Sequence, residues 1–219
     1  MARAKIVLPA TAKCISGRIM FVDCAKSDSA KLYELLISAI VPRPIAWVSS
    51  RGKSGVDNLA PFSFFNLFSI SPPILGFSPG LKRAPDGSKV MKDTLRNILE
   101  TEDFVVNLVN DRLADKMVLS SANFDYEISE FNAIGLNPAV STMVNAPRLA
   151  ESPLNLDCRL YKTIELGTNQ LVLGEILCVH VDQGLLSDGR IDPTKLKPLA
   201  RLGGDQYCLV NDVFELARP

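Results

Sequence analysis

The sequence predicts a mainly β protein with flanking helices, organised as a closed antiparallel sheet. Three observations carry this. β-Branched and aromatic runs recur at hairpin spacing, and only a few helical patterns interrupt them. The two longest runs, residues 154–166 and 171–181, meet at Gly167-Thr168-Asn169, whose residue types suit a hairpin turn.

Residues 1–30 read as an N-terminal extension in which 5–8 and 18–22 are short strand candidates packed on the sheet. Asp28 or Ser29 can cap a helix carrying Leu32, Leu35, Leu36 and Ala39 at helical spacing. That helix should pack on the sheet and stop before Pro42, which disfavours the helical region at Val41. The next stretch, VPRPIAWVSSRGKSGVDNLAPFSFFN from Val41 to Asn66, reads as a hairpin. Ile45-Ala46-Trp47-Val48 has strand character, and Arg51-Gly52-Lys53-Ser54-Gly55 has loop chemistry. Pro61 cannot donate to a ladder, so the returning strand should leave regular pairing there or lie at an edge.

Residues 70–73 read as a turn, 74–78 as a strand and 79–89 as a loop. Lys92-Asp93-Thr94 opens a helix to about Thr101 with Leu95, Ile98 and Leu99 on its apolar face, and 104–109 is a buried strand. Asp111 can cap a helix lined by Leu113, Met117 and Ser120, whereas residues 123–147 give no firm assignment. A short helical turn follows Asp192, and Leu202-Gly203-Gly204-Asp205-Gln206-Tyr207 lies beyond it.

Composition narrows the function. The chain has 219 residues, 47% of them hydrophobic, and a chain of this length buries roughly 70% of its unfolded surface. Lys+Arg and Asp+Glu number 24 each with no basic stripe, which argues against a nucleic-acid partner and for a small ligand. Five cysteines without C-x-x-C spacing, beside a single histidine, argue against a Cys/His zinc site and for buried thiols in a reducing compartment. Neither a signal peptide nor a membrane-spanning run is read from the sequence, so the expected location is cytoplasmic with no membrane partner. Gly52-Lys53-Ser54 is not a P-loop, because Trp47 stands where the motif needs glycine, and no G-x-G-x-x-G occurs. His180, in a strand, has no accompanying nucleophile motif and is expected to pack or hydrogen-bond.

PRPIAWVSS, NLAPFSFFN, Ser71-Pro72-Pro73, KDTLRNI, FVVNLV and LARLGGDQY occur in that order, and together they resemble the flavin reductase-like family of FMN-binding split β-barrels. The resemblance implies a single such domain over residues 31–219 and a homodimer that binds FMN at its two-fold interface. At Lys92-Asp93-Thr94, spacing alone leaves Asp93 as a helix cap with Lys92 in solvent. An anion at the helix start is the other reading, and the resemblance implies the family's phosphate side here. It further implies that backbone donors around Ala60, Pro61, Phe62 and Ser63 face the flavin N5 and pyrimidine edge. Ser49, Ser50 and Asn58 would touch the ribityl chain or ring, and Tyr207 would reach the flavin or the partner subunit. No side chain is expected to be catalytic and no metal is expected. The activity implied is NAD(P)H-dependent flavin reduction by hydride transfer to N5, with a monooxygenase or other acceptor taking the electrons. The alternatives are a non-catalytic FMN carrier or sensor and a flavin-free structural dimer.

Overall fold

The computed structural model describes residues 13–16, 19–83 and 86–217. The strand expected at 5–8 lies outside them, and the one expected at 18–22 is present as Ile19–Phe21, paired with Lys13–Ser16. The main sheet has seven strands: β1 (Ala46–Arg51), β2 (Asp57–Phe62), β3 (Phe65–Ile70), β4 (Pro73–Phe77), β5 (Asp103–Asn107), β6 (Leu154–Leu166) and β7 (Asn169–Val181). Among the described residues, four helices of five or more residues accompany it: α1 (Ser29–Ala39), α2 (Asp93–Thr101), α3 (Ala114–Leu119) and α4 (Glu130–Ile134). All described pairings within the sheet are antiparallel, in the order β2-β1-β5-β6-β7-β4-β3.

The expected closure is corrected here, because no hydrogen-bonded ladder joins the edge strands β2 and β3 among the described residues. Yet only Ser63 and Phe64 separate the last residue of β2 from the first of β3. The three Cα–Cα steps from Phe62 to Phe65 span at most about 11 Å of extended chain, so the sheet must curl until its two ends come close. The barrel is closed by covalent chain and remains split in its hydrogen bonding. β3 was not anticipated from the sequence. It forms a hairpin with β4 across Ser71-Pro72, and Pro61 sits, as anticipated, in an edge strand opposite Trp47.

β1 is buried on both faces because alternate side chains enter different cores. Ala46 and Val48 join Phe62, Leu75, Phe77, Phe104 and Val172 inside the curl, where Leu95 and Ile98 of α2 close one end. The Phe77 ring lies 5.0 Å from Phe62 and 5.6 Å from Phe104, centroid to centroid. Trp47 points the other way, into a cluster with Leu59, Leu149, Met117 of α3 and Phe131 of α4. Leu113, Met117 and Ser120 are buried as their spacing predicts. Asp111 does not cap α3, for it begins a 3₁₀ turn ahead of it. α1 is capped by Asp28, which accepts from the Ala30 and Lys31 amides, but it buries none of its residues in the chain. Its expected packing on the barrel is therefore corrected: Tyr33, Leu35, Leu36 and Ile40 are exposed.

Candidate functional site

The start of α2 organises the site. Lys92 occupies the N-cap position but offers no side-chain acceptor, and among the described residues no side chain caps the helix. The first-turn amides and the positive dipole end are thus left for another acceptor. Asp93 is the first helical residue, and its carboxylate takes a 2.5 Å ion pair from Lys82. Lys92 makes no salt bridge among the described residues; its ammonium stands 5.2 Å from the Phe62 ring centroid. Burial first, and the neighbouring Lys82 charge second, lower its pKa. A partly buried cation facing a second cation is electrostatically suited to an anion.

Around this point a polar cleft is lined by Asn58, Ala60, Pro61, Lys82, Lys92 and Thr94, together with residues 120–124 and Glu130. At Pro61 and Lys92 it borders a broader cleft of about 910 Å³ that runs along the β2–β3 connection, past Phe62, Ser63, Phe64 and Phe65 to α1. The pair forms a trough with one cationic end and one mostly apolar, aromatic-lined end.

Behind the polar end lies a buried hydrogen-bond network. Asn58 Nδ2 donates to Glu130 Oε1 at 2.6 Å, and the Leu59 amide donates to Glu130 Oε2 at 3.0 Å. Thr94 Oγ1 donates to Asn58 Oδ1 at 2.7 Å. Ser50 Oγ donates to that same oxygen at 3.5 Å and accepts from Asn97 Nδ2 at 3.2 Å. Desolvation raises the Glu130 pKa, and the bonds from Leu59 and Asn58 oppose that rise.

The structure brings Asn58, Ala60, Pro61, Lys92, Asp93 and Thr94 to the polar cleft and Pro61, Phe62, Ser63 and Lys92 to the broad one. Strand alternation sorts the backbone donors. The Leu59 amide points away from β1, to Glu130, so those of Ala60 and Phe62 turn toward β1, and Pro61 has none. Ser63 lies in the bend just past β2, its hydroxyl accepting from Arg43 Nε at 3.4 Å. Ser49 and Ser50 line neither cleft. Both are fully buried, with Ser49 Oγ donating to Pro147 O and accepting from Asn107 Nδ2. Tyr207 stands apart on the small sheet of Arg43–Pro44, Leu199–Arg201 and Tyr207–Leu209, its hydroxyl bonded by Arg201.

Sequence reasoning missed Lys82, Glu130 and Arg43. The Arg43 guanidinium, 7% exposed, donates to the carbonyls of Ile37, Ile40 and Leu202 and to Ser63, tying the end of α1 to the trough. An arginine two residues before a strand was the available signal, but its partners lie on three separate segments.

Residues 38–199 match the family described as "Flavin reductase like domain". Nitrilotriacetate monooxygenase component B from Bacillus cereus superposes with a TM-score of 0.86 at 31% identity, covering 92% of this chain and 100% of that one. The 2-nitrobenzoate 2-nitroreductase of Pseudomonas fluorescens gives 0.81 at 34%, covering 91% and 96%. A flavin reductase with split barrel domain from Shewanella frigidimarina gives 0.76 at 25%, covering 89% and 96%.

Proposed function

This chain belongs to the flavin reductase-like family of split-barrel proteins, and on that premise we propose that it is an FMN-dependent oxidoreductase that takes its electrons from NAD(P)H. The observation that carries the reading is the trough. Its cationic end, with an uncapped helix N-terminus, suits the FMN phosphate, and its broad, aromatic-lined end suits a flat ring system.

The residues present fit that ligand. Lys92 and the first amides of α2 hold the phosphate, while Asp93 engages Lys82 and keeps the second cation near. Thr94 and Ser50 fix the Asn58 side chain, which lines the cleft beside Ala60 and Pro61, so the sugar chain meets a preformed wall. Ser63, which lines the broad cleft and whose hydroxyl is held by Arg43, would offer its amide to the ring's polar edge. When bound, FMN would supply the redox chemistry, namely acceptance of hydride from the nicotinamide at N5 and delivery of electrons to an acceptor. The chain's own task is to bind, orient and shield; no side-chain acid is needed in the trough.

The exposed α1 residues flank the broad cleft, which supports a homodimer whose second subunit covers the ring. The similarity to a monooxygenase component and to a nitroreductase favours delivery of electrons to an oxygenase or to an organic acceptor. The test is the visible spectrum of the purified chain titrated with FMN, followed by stopped-flow bleaching with NADH and with NADPH. Saturable binding with bleaching by either donor is the expected result. Binding without bleaching would leave a carrier, and no spectral change would overturn the reading.

A further inference from the structure

We propose that Asp157, Cys178 and His180 form a binding site for a zinc-class divalent cation on the β6–β7 ladder, away from the trough. Cys178 and His180 stand two apart in β7 and so share a face, and Asp157 of β6 pairs directly with Cys178 and shares it too. His180 Nε2 lies 3.2 Å from Asp157 Oδ1 and 3.5 Å from Cys178 Sγ, which in turn lies 3.3 Å from Asp157 Oδ2. A tetrahedral zinc ion with bonds of about 2.0–2.3 Å sets its ligand atoms about 3.3–3.6 Å apart. The imidazole nitrogen and the thiol stand at nearly that separation from each other and each from one of the two Asp157 oxygens, and one donor atom from each residue falls within 4.8 Å of the others.

A second observation points to an occupant. Asp157 is fully buried, and its Oδ2 accepts from the Thr142 and Met143 amides at 2.9 and 3.0 Å. Its Oδ1 is buried and, among the described residues, makes no well-formed hydrogen bond, with His180 Nε2 standing 3.2 Å from it. An orphaned carboxylate oxygen is costly unless something electropositive meets it. The backbone bonds to Oδ2 fix the carboxylate from behind, as outer partners do for metal ligands. His180 also lines an open cleft of about 700 Å³, which gives an ion a path in and leaves the fourth position for water. A borderline-soft set of one nitrogen, one sulfur and one oxygen suits zinc over magnesium or calcium. On binding, the Cys178 thiol releases its proton to solvent and ligates as thiolate. The lone histidine and the lack of C-x-x-C argued against such a site in the sequence. The ladder supplies what spacing could not, a third ligand from the neighbouring strand.

The experiment uses the full chain, dialysed against zinc chloride and then against metal-free buffer. Elemental mass spectrometry should find about one zinc per chain. The zinc K-edge spectrum should show one sulfur at about 2.3 Å with lighter scatterers at about 2.0–2.1 Å. Cys178→Ser and His180→Gln, each half-exposed and each checked for native melting, should weaken zinc binding at least about 100-fold. Wild-type chain that leaves dialysis without zinc would show a plain hydrogen-bonded triad and overturn the proposal. Zinc held equally by both variants, or without a sulfur neighbour, would place it elsewhere and overturn it as well. Flavin titration of the same samples is a separate readout.

Discussion

Two charged groups at the trough make the residue-scale predictions. Lys92 is partly buried beside Lys82 with its pKa lowered by burial. A charge-assisted hydrogen bond contributes about 1.5–3 kcal/mol, so Lys92→Ala should weaken FMN roughly 10- to 100-fold. Riboflavin, which lacks the phosphate, should bind almost equally to both proteins by calorimetry; equal losses for both ligands would remove Lys92 from the phosphate. FMN affinity should fall as pH rises through the lowered Lys92 range, because the cation that meets the phosphate is then lost. Glu130 gives the opposite kind of group. Burial raises its pKa above the usual 4.5, so above that value the native state holds a proton the unfolded chain has released. Stability then falls as pH rises from about 4.5 through the raised value. Urea midpoints across that window should show the slope in wild type, and Glu130→Gln should flatten it. Of these groups only Lys92 was legible in the sequence, through its place at a helix start. Glu130 carries no spacing signal, since its partners Asn58 and Leu59 come from a strand far along the chain.

Among the elements, legibility tracked burial pattern and turn chemistry. The β6–β7 hairpin was readable because two long apolar runs flank a glycine turn, and Gly167 does take a positive φ of 59°. α2 was readable because Leu95 and Ile98 recur at helical spacing and enter the core. β3 was not: Phe-Asn-Leu-Phe-Ser-Ile shows no clean alternation, since Leu67, Phe68 and Ile70 are all exposed on an edge strand. α4 is only five residues long, too short for a periodicity to emerge. Gly174 shows how closely the elements fit. It lies in β7 directly under the Phe104 ring of β5, and a Cβ there would overlap that ring. Gly174→Ala should cost about 1–3 kcal/mol by forcing Phe104 off its place in the core. A urea midpoint unchanged from wild type would mean that the ring has room to move.

For the molecule as a whole, the exposed apolar surface of α1 lies beside that of the β2–β3 connection, with Tyr33, Leu36, Ile40 and Phe64 lining one cleft. An edge strand this apolar invites pairing unless it is covered. Sedimentation should therefore give a dimer at micromolar concentration, and Leu36→Asp combined with Phe68→Asp should shift it to monomer. A wild-type monomer loaded with FMN would rule the dimer out. Overall fold class was visible early because hairpins are local, whereas the missing ladder between β2 and β3 depends on how seven strands curl and leaves no mark in the sequence. That gap has a mechanical consequence. The broad cleft is walled by Pro61 and Phe62 from one end of the sheet and by Phe65 and Asn66 from the other. Its width is set by the bending of a curved sheet, and within the reach of the Ser63-Phe64 link the walls can shift without rupturing one ladder bond. The seam acts as a leaf spring, and if FMN sits in it as proposed, ligand binding should stiffen it, so amide exchange near Ser63 and Phe64 should slow on adding FMN while that of β5 and β6 stays unchanged.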